Sequence, residues 1–270
     1  MTSDLPATLR RMPAPPSLPR FVPIAQSAPG MPLFRAVKRE LLRAIESGGY
    51  PPGRTLPSET ELARTLGVAI GTLRRAVDEL VSEHLLVRRQ GRGTFVATHD
   101  ADRFLFQFFH VERSDGQRDA PEVDLVSFER LRADDEAAQA LAIKPGAAVL
   151  QIENRLRLQG RAVVHDRLTL SAQLFKGLTE KRLAERPGTI YQFYQDEFGI
   201  SVLRAVERAR AVAADRAAAR VLGVALGQPV IEVRRTALTF GERPVEYRVS
   251  IINTVQHDYV HQLSRPTRGS

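Results

Sequence analysis

Residues Leu56 to Val96 read LPSETELARTLGVAIGTLRRAVDELVSEHLLVRRQGRGTFV. Ser58 followed by Glu61 forms a capping box, which predicts a helix starting at Glu59. Leu62 and Leu66 share one face of that helix, and Gly67 ends it and turns the chain. A second helix is predicted from about Ile70 to Glu83, with Leu73, Ala76, Val77 and Leu80 on one buried face. Ile70, Gly71, Thr72, Arg74, Arg75 and Asp78 lie on the opposite face. Two helices joined by a short glycine-containing turn form a helix-turn-helix, whose second helix enters the DNA major groove. Leu85 to Gln90 and Thr94 to Val96 then read as two strands around Gly91-Arg92-Gly93, a basic hairpin. Helix, turn, helix and basic hairpin together predict a winged helix.

Upstream, Pro32 suits the first turn of a helix. Leu33, Val37, Leu41 and Ile45 recur every four residues, and Gly48-Gly49 end the run. This helix is expected to close the core of the winged helix. Pro51-Pro52-Gly53 then turns the chain toward Ser58. Residues 1–30 hold Pro6, Pro13, Pro15, Pro16, Pro19, Pro23 and Pro29, a spacing that predicts a flexible, mildly basic arm. Over residues 31–98, eleven basic side chains face seven acidic ones, so half of the chain's net charge of +8 lies in a quarter of its length.

The chain has 270 residues, which makes two domains the natural expectation. Its 43% hydrophobic content supports a sizeable core, and its positive charge favours an anionic partner, nucleic acid first. There is no cysteine, hence no disulfide framework and no thiolate zinc site. No apolar run approaches the roughly 18 residues needed to span a bilayer, and the proline-punctuated N-terminus holds no apolar signal core. These features lead to the expectation of a soluble, cytoplasmic protein with no membrane partner.

The stretch from Met31 to Val96 resembles the DNA-binding domain of the GntR family of bacterial transcription regulators. The points of match are Leu56-Pro57-Ser58-Glu59, Glu61-Leu62-Ala63, Leu66-Gly67-Val68, Thr72-Leu73-Arg74-Arg75-Ala76, Asp78-Glu79-Leu80 and Gly91-Arg92-Gly93-Thr94-Phe95-Val96, in order and without gaps. The sequence departs from the family pattern at Ala69, Ile70 and Gly71, where a serine cap and a basic residue are usual. A missing cap costs about 1 kcal/mol, and Ile70 can meet a thymine methyl but cannot hydrogen-bond a base. The operator sequence therefore does not carry over.

From Pro121 onward the chain repeats itself. Asp134 to Ala142 reads as a helix, followed by Lys144-Pro145-Gly146, a strand through Val149 to Ile152, a turn at Gln159-Gly160-Arg161 and a strand from Val163 to Leu170. The second copy runs from a helix at Asp215 to Leu222 through Ala225-Leu226-Gly227 and a strand over Val230 to Val233. It then turns at Gly241-Glu242 and returns from Pro244 to Ile252. Between the copies lies a helical stretch, Ser171 to Phe198. Long alternating strands predict an antiparallel sheet flanked by helices. Residues 104–262 resemble the effector-binding UTRA domain of the HutC subfamily of GntR regulators, which shares its fold with chorismate lyase. The resemblance rests on the phrase from Leu222 to Arg248 and its upstream echo. The fold class expected is thus α+β in two domains, a winged helix-turn-helix at 31–98 and a chorismate-lyase-like UTRA sheet at 121–265, with 99–120 as linker and start of the second domain.

What the resemblance implies is a regulator, repressors being commonest, that binds a double-stranded operator as a homodimer and responds to a small-molecule effector, with no cofactor. The residues implicated in DNA contact are Ser58, Ile70, Thr72, Arg74, Arg75, Arg88, Arg89, Gly91, Arg92 and Gly93. Arg74 and Arg75 suit guanine or phosphate because the guanidinium fork matches both, and Thr72 near a helix start suits a phosphate. For the effector, the matching positions are Asp166 in the first repeat, Glu246 in the second, and Thr189 and Tyr191 after Pro187-Gly188. Arg155 and Arg157 match the family's paired arginines in one register. Counting back from Gly160 puts Asn154 and Leu156 there instead, and a one-residue slip reverses which face a strand residue occupies.

Three features have plainer readings. Phe104 to Phe109 is an aromatic cluster that suits core packing or domain docking better than base stacking, as it lacks interleaved basic residues. His257 and His261 are four apart on a strand pattern, which separates them, so no metal site is expected. His165 reads as an ordinary packed histidine. A constitutive DNA binder with a ligand-free dimerisation domain, and a lyase-like enzyme, are the alternative functions; no nucleophile or acid–base pair stands out for the latter.

Overall fold

Capping, glycine turns and two opposed hydrophobic periods set the element order. The computed structural model describes residues 21–24, 32–83, 85–98 and 108–261. The chain separates after Ala97 into two compact units.

In the first unit, α1 (Leu33–Glu46), α2 (Glu59–Leu66) and α3 (Ile70–Ser82) precede the hairpin β1 (Leu86–Arg89) and β2 (Gly93–Val96). α1 buries Phe34, Val37, Leu41 and Ile45, while Leu33, expected inside, is exposed. The helix begins at Leu33, so the next residue, Phe34, turns inward in its place. Lys38 of α1 joins Glu79 (3.1 Å) and Glu83 (2.5 Å) at the end of α3. The hairpin pairs Leu86 with Val96 and Arg89 with Gly93. The segment before α2 adds a third partner: the Leu56 amide donates to the Thr94 carbonyl at 2.8 Å, and Val96 to the Arg54 carbonyl at 2.9 Å. Part of the expected arm is also seated. Phe21 is buried and stacks on Tyr50 at 5.2 Å, and the Ile24 amide donates to the Leu66 carbonyl at 3.0 Å.

The second unit is built on a six-stranded antiparallel sheet in the order β4-β5-β6-β9-β8-β7. In chain order its elements are β3 (Val111–Arg113), β4 (Glu122–Arg132), α4 (Asp135–Leu141), β5 (Ala148–Leu158), β6 (Arg161–Ser171), α5 (Glu180–Ala184) and α6 (Ile190–Phe198). They continue with β7 (Arg204–Ala213), α7 (Arg216–Leu222), β8 (Pro229–Leu238), β9 (Pro244–Ile252) and β10 (His257–Tyr259), which pairs with β3. The repeat is thus strand, helix and hairpin twice over, with the sheet order mirrored about a seam between β6 and β9. Asp134 and Asp215 cap α4 and α7, each accepting an amide three residues on at 2.7 Å. The long strands β4 and β7, not read from the sequence, open each copy and form the two sheet edges. Strand alternation gives the two faces separate cores. Val149 and Tyr247 pack under α4, Val230 and Ile251 under α7, whereas Leu150, Ile152 and Leu168 pack on the other face with α5 and α6. Phe108 and Phe109 are buried on that second face, as core packing requires; Phe104 to Gln107 lie outside the described residues.

Candidate functional site

On the first unit the outward surface of α3 and the wing carry the charge. The Ser58 hydroxyl accepts the Glu61 amide at 3.2 Å, so it closes α2. Gly67 ends that helix at φ 69°, a left-handed conformation natural to glycine. Ala69 gives α3 no side-chain cap. Leu73, Ala76, Val77 and Leu80 face inward, and Ile70, Gly71, Arg74 and Arg75 are exposed, with Thr72 half-buried.

The five arginines expected at DNA stand in different situations. Arg74 donates from Nε to Glu59 Oε2 at 2.7 Å, and its terminal nitrogens have no hydrogen-bond partner among the described residues. Arg88 is engaged at both terminal nitrogens, by Glu59 Oε1 at 3.2 Å and by Asp78. The Arg75 guanidinium lies 4.0 Å from the centroid of the Phe34 ring, and that of Arg89 lies 4.9 Å from Phe95. Arg92 stands exposed at the hairpin tip with no ion pair among the described residues. Gly91 and Gly93 take φ of 69° and 103°, which the tight tip requires.

In the second unit a cavity of about 250 Å³ opens between α6 and the face of β5, β6 and β9. Ala120, Pro121, Val123, Leu156 and Ile190 give it apolar walls; Asn154, Asp166, Arg186, Thr189, Gln192 and Arg248 supply its polar groups. Thr189 caps α6, accepting the Gln192 amide at 3.2 Å, so the amino end of that helix faces the cavity. Two polar atoms on the wall are buried with no hydrogen-bond partner, Asn154 Oδ1 and Arg186 Nε. Burial lowers the Arg186 pKa from its ordinary value.

Beneath the cavity lies a closed polar cluster. Arg248 donates to Asp166 Oδ2 at 3.1 Å and to both oxygens of Glu246, at 2.9 and 3.1 Å. Glu246, 0% exposed, also accepts the hydroxyls of Tyr191 (3.0 Å) and Tyr194 (2.8 Å), and Ser250 donates to Asp166 at 2.5 Å. Burial, then the adjacent carboxylate, pushes the Tyr191 hydroxyl up to about 12 and that of Tyr194 well above its usual value. Burial opposes the charge on Arg248, yet Glu246 and Asp166 hold its pKa well above the ordinary one.

Of the expected effector residues, Asp166 and Thr189 line the cavity. Tyr191 and Glu246 do not: both are fully buried and satisfied within the cluster. Arg155 and Arg157 do not line the cavity either. The strand register turns Asn154 and Leu156 to the cavity, so the arginines point to the opposite face, where Arg155 meets Asp124 at 3.0 Å and Arg157 meets Asp124 and Glu122. Arg186, Gln192 and Arg248 were missed. Arg248 was accessible in principle, because it stands two residues from Glu246 on the same strand face. His257 lies buried on β10, and His261 packs near His110 at 4.9 Å; among the described residues no cluster of metal-ligating side chains occurs.

A winged helix-turn-helix joined to a helix-flanked sheet with a polar-lined cavity defines a class of two-domain DNA-binding regulators. Residues 33–96 match the bacterial regulatory proteins of the gntR family, and residues 116–258 match the UTRA domain. The chain belongs to the gntR family, in the branch that carries a UTRA domain. The histidine utilization repressor of Pseudomonas aeruginosa is 30% identical over 213 residues, covering 76% of this chain and 80% of that protein. The HTH-type transcriptional repressor NagR of Bacillus subtilis is 27% identical over 238 residues, covering 87% and 96%. The solved ligand-binding domain of a GntR-family transcriptional regulator from Bordetella bronchiseptica is similar at TM-score 0.56 and 33% identity, over 59% of this chain and 99% of its own. Family and relatives are transcriptional regulators, not enzymes, which removes the lyase-like alternative. Among the described residues no helix is long and apolar enough to cross a membrane.

Proposed function

We propose that the chain is an effector-controlled repressor acting in the cytoplasm as a homodimer on a palindromic operator. Two-fold symmetry would set the half-site spacing. Ile70 and Arg74 of α3 read base edges, and Thr72, Arg75, Arg89 and Arg92 meet phosphates. The effector occupies the cavity under α6. It alters operator occupancy only so far as it prefers one arrangement of the dimer.

The observation that carries this reading is the pair of unsatisfied atoms on the cavity wall, Asn154 Oδ1 and Arg186 Nε. A buried polar atom without a partner costs about 1–3 kcal/mol, a cost that a bound molecule removes. The pair favours a small molecule that donates to Asn154 and offers an acceptor to Arg186, against an apolar body. An anionic acceptor also suits the amino end of α6. A thermal-shift screen of small hydroxy and amino carboxylic acids against the purified chain tests this. A hit raises the melting temperature of wild type, releases bound duplex, and loses both effects in Asn154→Leu. No hit in the panel, or hits indifferent to Asn154, would count against the cavity as the effector site.

A further inference from the structure

Glu59 touches both halves of the recognition surface. Its Oε2 accepts Arg74 Nε of α3 at 2.7 Å, and its Oε1 accepts a terminal nitrogen of Arg88 on β1 at 3.2 Å. The other terminal nitrogen of Arg88 donates to Asp78, on the outward face of α3. The first residue of α2 is therefore gripped between the second helix and the wing.

Counting N–H groups separates the two arginines, because a guanidinium presents five donors in a fixed fork. Arg88 engages carboxylates through both terminal nitrogens, which makes it a strut. Arg74 engages only Nε, leaving open the outer edge, which is the edge that bridges two acceptors on guanine or phosphate. Its side chain is 59% exposed. Without a tether, such a long side chain samples many rotamers that binding must then freeze out.

Resting on the reading that α3 meets DNA, we infer that Glu59 is a positioning residue for sequence readout. It holds Arg74 by Nε so that the outer edge points away from the protein, and it ties that aim to the wing through Arg88. The opposite role makes the opposite prediction. A carboxylate that merely sits near the phosphate backbone repels it, so its removal would tighten binding to every duplex.

The experiment uses the full chain. A duplex is selected from a randomised pool by the wild-type protein, and it and a scrambled duplex are titrated with wild type, R74A, E59A, E59Q and E59A/R74A. R74A is expected to lose about tenfold or more of the preference for the selected duplex. E59A is expected to lose about tenfold on the selected duplex while keeping or gaining affinity for the scrambled one. It should add little in the double variant, because the aim matters only while Arg74 is present. E59Q should fall between, since its amide oxygen still accepts one donor; it also keeps the test intact if E59A melts early. Tightening of both duplexes by E59A and E59Q, or simple addition of the E59A and R74A effects, overturns the inference. Loss of preference in R74A but not in E59A does the same while sparing the α3 reading. An undiminished preference in R74A removes both.

Discussion

On the first unit, Arg74, Glu59, Arg88 and Asp78 pair at the surface; in the second, Asp166, Arg248, Glu246 and two tyrosine hydroxyls pair in the interior. The functional groups are the same, arginine and carboxylate, but the solvent around them is not. Exposed pairs contribute only about 0–1 kcal/mol each to stability, so this cluster does little to hold the fold and leaves the outer edge of Arg74 open to an arriving phosphate or base. Buried pairs cannot exchange, because removing one partner strands a charge out of water. The surface cluster suits a face that must aim a side chain yet keep it within reach of solvent. The interior one suits a frame that holds a cavity wall in place.

The sharpest way to break this comparison is Glu246→Ala. It leaves Arg248 and two tyrosine hydroxyls short of an acceptor, and is expected to destabilise the second unit by about 3–5 kcal/mol in chemical unfolding. A loss below 1 kcal/mol would mean that the interior cluster behaves like a surface pair. A second effect comes from His110, whose pKa burial lowers from 6.5 to about 4. The unfolded chain binds that proton first, so the contribution of His110 is fully present above pH 6.5 and is lost as pH falls toward 4. A melting series over that window should decline less steeply for His110→Phe than for wild type. Next in size is Ala69→Ser, which supplies the cap that α3 lacks and should stabilise the first unit by about 1 kcal/mol. No gain would show that another group already satisfies those amides. Smallest is Arg155→Ala, an exposed partner of Asp124, which should change stability by less than about 0.5 kcal/mol and leave any effector-induced thermal shift intact.

The winged helix was legible almost residue by residue because its signals are local: a capping box, a glycine stop, a 3.6-residue period and a glycine-tipped hairpin. The repeat in the second unit was legible for the same reason, through two short helices, each beginning at an aspartate, and the turns that follow them. What escaped depends on contacts distant in sequence. β4 and β7 carry many charges, which edge strands tolerate, so neither showed clean alternation. The cavity draws on Pro121, Asn154, Asp166, Arg186 and Arg248, residues of three strands and two connecting segments that only the fold of the second unit brings together. Arg155 and Arg157 stood as candidates because a one-residue slip reverses the face of a strand residue, and only the folded sheet shows that Asn154, Leu156 and Leu158 share the buried one. Whether an arginine is held as a strut or left open at its outer edge is a matter of neighbouring carboxylates, invisible in a linear pattern.

The seam between β6 and β9 has a consequence for synthesis. β6 ends at Ser171 and its partner β9 at Ile252. At roughly 5–20 residues per second on the ribosome, the interval between them is roughly 4–16 s. Throughout it the nascent chain carries a long strand, mostly buried in the finished sheet, with one edge unpaired, a ready template for another polypeptide. Factors that shield emerging chains should therefore matter more to the yield of the second unit than to that of the first.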